Sequence, residues 1–360
     1  MLTVLNVAYP LALAGRNAVG GAEQILSRLD QALVQAGHRS LVVAAEGSEV
    51  EGIHLSTPRQ RGPLNDSARR NAWEHHRTRI NRALDDWPVD VVHLHGIDFL
   101  RYLPPPPVPV LVTLHLPPGW YPPAIFDLHR PQLFLNCVSK SQHRACPRCH
   151  YLLPEIENGV PDDLFAARHA KRHFALCLGR ICPEKGFHFA LDAATKADIP
   201  LVIGGEVFQY ATHEEYYHRE IAPRLDARHR FIGPVGWQRK RRLLAAAKCL
   251  LAPSVVPETS SLVAMEALAC GTPVIAFPSG ALAEIVEHGK TGYLVENARA
   301  MAEAIGQTAL ISAEACRDSG RTRFGLGKMV AKYFEVYRLL SHGGMGGMRP
   351  KGVEWMSVWR

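Results

Sequence analysis

Short apolar runs recur along almost the whole chain, separated by segments in which apolar positions return every three or four residues. An uninterrupted short run suits a strand buried on both faces, and the longer period marks a helix with one buried stripe. In the first half the strand-like runs fall at 2–9, 41–45, 89–95, 110–115 and 133–139, with helical patterns at 22–36 and about 67–84. In the second half they fall at 174–178, 201–205, 231–233, 250–253, 274–277 and 292–295, alternating with helical segments such as 243–248 and 262–269. Such alternation predicts an α/β architecture of parallel sheets covered by helices.

The series breaks in the polar stretch 162–173, which predicts one domain over 1–165 and a second over 166–327. A last amphipathic helix, 328–342, carries Val330, Tyr333, Phe334, Tyr337 and Leu340 on one stripe and must pack on something. The tail 343–360 is rich in Gly and Met, lacks periodicity, and is expected to be loosely held. No repeat at solenoid spacing appears.

Composition narrows the classes. A chain of 360 residues with 47% hydrophobic content can build two cores, so a disordered or collagen-like chain is excluded. The 41 Lys and Arg outnumber the 34 Asp and Glu, leaving a net charge of +7 that favours anions such as phosphates or acidic lipid head groups. No apolar stretch reaches the roughly 18–20 residues of a membrane-spanning helix. Residues 2–14 end in a small-residue pattern like a cleavage site, but Asn6 and Pro10 interrupt the run and no basic residue precedes it. They are expected to be the first strand and loop of a cytoplasmic protein. The eight cysteines are scattered, and Cys137, Cys177, Cys249 and Cys270 sit in apolar runs, as reduced, buried thiols do.

In open α/β sheets ligands sit beyond the carboxyl ends of the strands, so residues just after the strand runs carry the most weight. Gly20 and Gly21 open the first helix, where close backbone approach and free N–H groups suit a phosphate, although two glycines also serve a helix start with no ligand. After the first strand of the second half, Arg180 and Lys185 place a guanidinium fork and a point charge in one loop, as a diphosphate requires. A solvated basic loop is the plainer alternative. In 257–274, Thr259, Ser260 and Ser261 are good N-caps, so Glu258 lies ahead of the helix and Glu266 inside it. The N–H groups of Ser261, Leu262 and Val263 are expected to face an anion, and Gly271 is expected to close the helix. Glu266 is surrounded by apolar residues and needs hydrogen-bond donors, which a ribose diol would supply.

Taken in order, these pieces resemble the retaining glycosyltransferases of GT-B fold, specifically glycosyltransferase family four, over roughly residues 2–340. The likeness rests on Gly20 to Glu23, Ala36-Gly37-His38, Val91 to His95, Val112 to His115, Val138-Ser139 and Asn158-Gly159-Val160. It continues through Arg180 to Gly186, Phe231-Ile232-Gly233, Pro253-Ser254, the glutamates Glu258 and Glu266, and Gly289 to Gly292. It implies two Rossmann-like, doubly wound domains facing a cleft, with the last helix returning to the first domain. It also implies transfer of a sugar from a nucleotide diphosphate sugar to an acceptor hydroxyl, with the anomeric configuration kept.

The resemblance places Gly20 and Gly21 near the donor diphosphate and gives Arg180 and Lys185 the task of neutralising it as it leaves. It puts Glu266 on the ribose, Glu258 on the donor sugar hydroxyls, the backbone at Ser261 and Leu262 on the phosphates, and His115 opposite the sugar. No cofactor and no metal is expected, because Arg180, Lys185 and the helix amides do a cation's work. Ser260 and Ser261 stand where the family often has an aromatic residue and a glycine, which leaves the donor sugar open. A nucleotide-sugar epimerase or hydrolase, or a non-catalytic nucleotide-sugar-binding protein of the same fold, stays as the alternative.

Other features carry less. His143, Cys146, Cys149 and His150 offer zinc-ligand types but lack a second Cys pair. The Asp85-Asp86 and Asp162-Asp163 pairs are expected to be solvated, and the run Arg239 to Arg242 is expected to begin a surface helix. The 69–84 helix, with Arg69, Arg70, Arg77, Arg79 and Arg82, has one packed and one cationic face. No nucleic-acid module accompanies it. A solvated face is the simpler account, and peripheral contact with an anionic membrane surface the other.

Overall fold

The structure is a computed structural model that describes residues 1–166 and 168–343. From the amino end run β1 (Thr3–Val7), α1 (Gly21–Gln35), β2 (Arg39–Ala45), β3 (Ile53–Thr57), α2 (Asp66–Asp86), β4 (Val91–Leu94), β5 (Val110–Leu114), β6 (Leu133–Cys137) and α3 (Lys140–Ala145). The second series is β7 (Ala175–Leu178), α4 (Phe187–Lys196), β8 (Leu201–Gly204), α5 (Ala211–Tyr216), β9 (His229–Phe231), α6 (Trp237–Ala246), β10 (Cys249–Ala252) and α7 (Leu262–Ala269). It continues with β11 (Val274–Ala276), α8 (Leu282–Ile285), β12 (Gly292–Leu294), α9 (Ala298–Gln307), α10 (Ala313–Phe324) and α11 (Leu326–Ser341).

Two six-stranded parallel sheets result, ordered β3-β2-β1-β4-β5-β6 and β12-β11-β10-β7-β8-β9. Counted from its own first strand, each follows the same doubly wound order. The connections reverse direction between β1 and β4 in one sheet and between β7 and β10 in the other, the positions where such sheets bind ligands. Register follows the apolar runs: Leu5 lies opposite Leu41 and Val92, and Leu176 opposite Val202 and Leu250. Leu5, Leu41, Val92, Leu176 and Leu250 are fully buried, as covering of both sheet faces demands.

The chain divides into two compact units. The first holds residues 1–138, 143–156 and the chain from Val330 onward; the second holds 139–142 and 157–329. The contact boundary falls at Ile156, ahead of the polar stretch 162–173, because Val160 already pairs with Phe324 and Leu326 of the second unit. Most of α11 belongs to the first unit: Tyr333 and Tyr337 are fully buried there, bonded to Thr113 and His93. Of the tail 343–360, all but Gly343 lies outside the described residues.

Several details differ from the pattern. β3 was not anticipated, because at this edge position only Thr57 is buried and Ile53 is exposed, so no apolar run marks it. α6 begins at Trp237, two residues ahead of the Arg239 to Arg242 run expected to open a surface helix, and takes in the 243–248 segment only as far as Ala246. Asp163 is not simply solvated, since it accepts hydrogen bonds from the Trp237 indole at 3.3 Å and from Arg241 at 3.5 Å. The cationic face of α2 is partly spent on its own unit, with Arg77 donating to the Arg101 carbonyl, Arg79 to that of Ser56, and Arg82 pairing with Asp86. No described helix is long and apolar enough to cross a membrane.

Candidate functional site

In the second unit the crevice between the ends of β7 and β10 is formed by two short loops. After β7, Pro183–Lys185 makes a tight turn closed by Gly186 at φ +61°. A Cβ at that glycine would sit 2.3 Å from the Pro253 carbonyl, so the turn can lie against the β10 loop only with glycine there. The Val255 N–H donates to the Glu184 carbonyl and locks the two loops together. The β10 loop is held from the other side by Gly280, at φ +60°, and by the Ala281 N–H donating to the Glu258 carbonyl.

This bracing brings Lys185 and Glu258 into contact. Their Nζ and Oε1 are 2.5 Å apart, and the side chains are 23% and 11% exposed. Ser254 donates its hydroxyl to the same Oε1. Arg180, on the same loop, forms no hydrogen bond or ion pair with a described residue through its guanidinium, leaving that fork available to an anion.

α7 starts directly after the β10 loop. Ser261 is its N-cap by backbone position but makes no side-chain cap, so the first-turn N–H groups at Leu262 and Val263 are not satisfied by it. The helix closes as expected: Gly271, at φ +73°, and Thr272 donate back to the carbonyls of Leu268 and Ala267. Glu266 is 1% exposed, and its donor is Lys240 of α6, 3.0 Å away and 15% exposed. Sequence reasoning missed Lys240, because a cation within a basic run gives no sign of the buried carboxylate it meets. Pro253-Ser254 is part of the family resemblance, but the contact of the Ser254 hydroxyl with Glu258 was not foreseen.

Gly20, Gly21 and His115 belong to the first unit. Gly20 caps α1 and Gly21 begins it, with no side-chain cap. The Glu23 carboxylate folds back over Gly20, where a Cβ would be 1.9 Å from its oxygen unless that flexible side chain moved. His115 follows β5; its N–H donates to the Tyr121 hydroxyl and its Nε2 lies 3.0 Å from His95 Nδ1. His93 extends the stack, bonded to Tyr337 and Thr113 at 2.7 Å each. Burial pushes the His115 pKa down to about 3 and holds those of His93 and His95 well below the usual range.

All eight cysteines are unpaired. His143, Cys146, Cys149 and His150 do not converge on one point; Cys146 instead faces Cys137, with sulfurs 3.4 Å apart. Among the described residues one set of three metal-ligand types does converge: Cys182, Glu184 and His213.

A family profile described as "Glycosyl transferases group 1" matches residues 172–309, and one described as "Glycosyltransferase Family 4" matches 19–153. The chain belongs to glycosyltransferase family four. A D-inositol 3-phosphate glycosyltransferase of Kribbella flavida is 36% identical over 158 residues, covering 39% of this chain and 37% of that protein. A phosphatidyl-myo-inositol mannosyltransferase of Mycobacterium tuberculosis is 34% identical over 155 residues, 39% of each. The chain spans about two fifths of the length of these curated relatives. Among solved structures, a glycosyltransferase involved in avilamycin A biosynthesis is 25% identical, with TM-score 0.71 over 95% of this chain and 99% of that one. Anabaena HepE, solved in complex with UDP and glucose, is 18% identical, with TM-score 0.73 over 94% and 100%. The fold of this family-four member is GT-B, with two Rossmann-like domains.

Proposed function

We propose that this chain is a retaining glycosyltransferase that moves a sugar from a nucleotide diphosphate sugar to an acceptor hydroxyl. The observation that carries this reading is the Lys185 and Glu258 pair lying across the β7 and β10 crevice, with Arg180 on the same loop as Lys185. A cation fork, an ammonium and an N-terminal helix turn answer the diphosphate, while a carboxylate held by its neighbours answers sugar hydroxyls. The names of the relatives support glycosyl transfer, and the UDP and glucose bound in HepE support a nucleotide-sugar donor.

In the reaction the acceptor oxygen bonds to the anomeric carbon as the bond from that carbon to the phosphate oxygen breaks. The acceptor proton passes to the departing phosphate. Arg180 and Lys185 stabilise the charge that develops on the leaving diphosphate, and the N–H groups of Leu262 and Val263 share it. Glu266 holds the ribose, with Lys240 fixing its orientation. Oε1 of Glu258 is already engaged by Lys185 and Ser254, which makes it a poor covalent nucleophile through that oxygen and favours attack from the leaving-group side. Gly20 and Gly21 are assigned to the donor diphosphate and His115 to the donor sugar on the family resemblance alone.

The test is nucleotide diphosphate release from a panel of nucleotide diphosphate sugars, with and without candidate acceptors. Release that requires an acceptor supports transfer. Equal release without one selects hydrolysis instead.

A further inference from the structure

Apart from any role in group transfer, the geometry points to a zinc-binding site formed by Cys182 Sγ, the Glu184 carboxylate and a ring nitrogen of His213. These three ligand atoms lie within 4.8 Å of one another. Tetrahedral zinc, with bonds of about 2.0 to 2.3 Å, sets its ligands about 3.5 Å apart, so modest side-chain rotation closes the set. Cys182 is 1% exposed and His213 is 7% exposed.

Two orphaned atoms point the same way. His213 Nδ1 and Glu184 Oε2 are both buried and have no hydrogen-bond partner. Buried polar atoms are nearly always satisfied, and here two of them converge with a thiol. One ion gives each of the three a bond. Thiolate, imidazole and carboxylate together select zinc over magnesium or calcium, which take oxygen ligands. A thiolate and a carboxylate cancel the charge of a divalent ion, so binding with loss of the thiol proton leaves a neutral site near the Arg180 guanidinium.

The site joins α5, which carries His213, to the 179–186 loop, which carries Arg180 and Lys185. Its consequence is therefore order in that loop. Three protein ligands leave a fourth position for water.

Cobalt(II) in place of zinc makes the site visible, because a cysteine thiolate bound to cobalt gives a charge-transfer absorption and a tetrahedral site gives intense visible bands. The full chain, stripped with a chelator and titrated with cobalt, is expected to show both at one ion per chain. Cys182→Ser should abolish the charge-transfer band, and His213→Gln should weaken cobalt and zinc binding at least tenfold. The Cys146→Ser, Cys149→Ser double variant should leave spectrum and affinity unchanged. Absence of the band in the wild-type chain overturns the site whatever the variants do. So does its persistence in Cys182→Ser, or its loss in the Cys146 and Cys149 variant. Should Cys182→Ser fail to fold, by circular dichroism, His213→Gln decides: wild-type affinity in that variant overturns the assignment.

Discussion

Lys240 supplies an ammonium to the buried Glu266 carboxylate, which makes it a sharp test at the residue scale. Glu266 is 1% exposed, and removing this partner takes away charge compensation where water cannot reach. Lys240→Met should lower stability by about 3 kcal/mol in urea denaturation, and adding Glu266→Gln should recover most of that loss. A Lys240→Met variant as stable as the wild type would show that other contacts of Glu266 hold its charge. Arg180 is a different case, since among the described residues it has no ion-pair partner to lose. Arg180→Ala should leave the fold intact and reduce turnover on the order of a hundredfold, the scale of one preorganised donor to a developing anion. Unchanged turnover contradicts its assignment. Arg180, Lys185 and Glu258 stand out in the sequence because they follow apolar runs, and Glu266 because a carboxylate interrupts an apolar helix. Lys240 and the meeting of His213 with Cys182 and Glu184 do not, because each acquires meaning only from a partner more than twenty residues away.

At the scale of elements, the histidine stack under α11 makes folding pH-dependent. His93, His95 and His115 follow β4 and β5 or lie within them, and His76 of α2 is buried apart from them with a pKa near 4. Burial lowers all four below the ordinary value of 6.5. The unfolded chain therefore binds protons below about pH 6.5 that the folded chain refuses. The stability is complete above that pH and is lost as pH falls toward 4 and 3. Each histidine contributes a slope of up to about 1.4 kcal/mol per pH unit in that window. Denaturation midpoints measured from pH 7 to pH 4 check this, and a flat profile contradicts it. Gly271 gives the second test at this scale. Its φ is +73°, and a Cβ there would meet the Arg317 guanidinium at 2.6 Å, so Gly271→Ala should destabilise by about 1 to 3 kcal/mol. The closing glycine of α7 was legible because glycine just after a helical run has a backbone reason. β3 was not, since an edge strand with one buried residue has no apolar run to announce it.

For the whole molecule, two sheets with the same strand order put two switch points in one chain, and Arg180, Lys185 and Glu258, proposed to meet the donor, lie at the second of them. The repeated order could not be read from the sequence, because apolar runs give strands and their sequence order but not which strand lies beside which. The central claim is that the β7 and β10 crevice binds a nucleotide diphosphate sugar, with Glu266 on the nucleotide side and Glu258 on the sugar side. Calorimetric titration of the bare nucleotide diphosphate into wild type, Glu266→Ala and Glu258→Ala tests it most directly. The account predicts binding to the wild type that Glu266→Ala weakens at least tenfold and Glu258→Ala leaves nearly intact, with Glu258→Ala depressing transfer instead. The reverse ranking, or no binding to the folded wild-type chain by any nucleotide diphosphate, contradicts it.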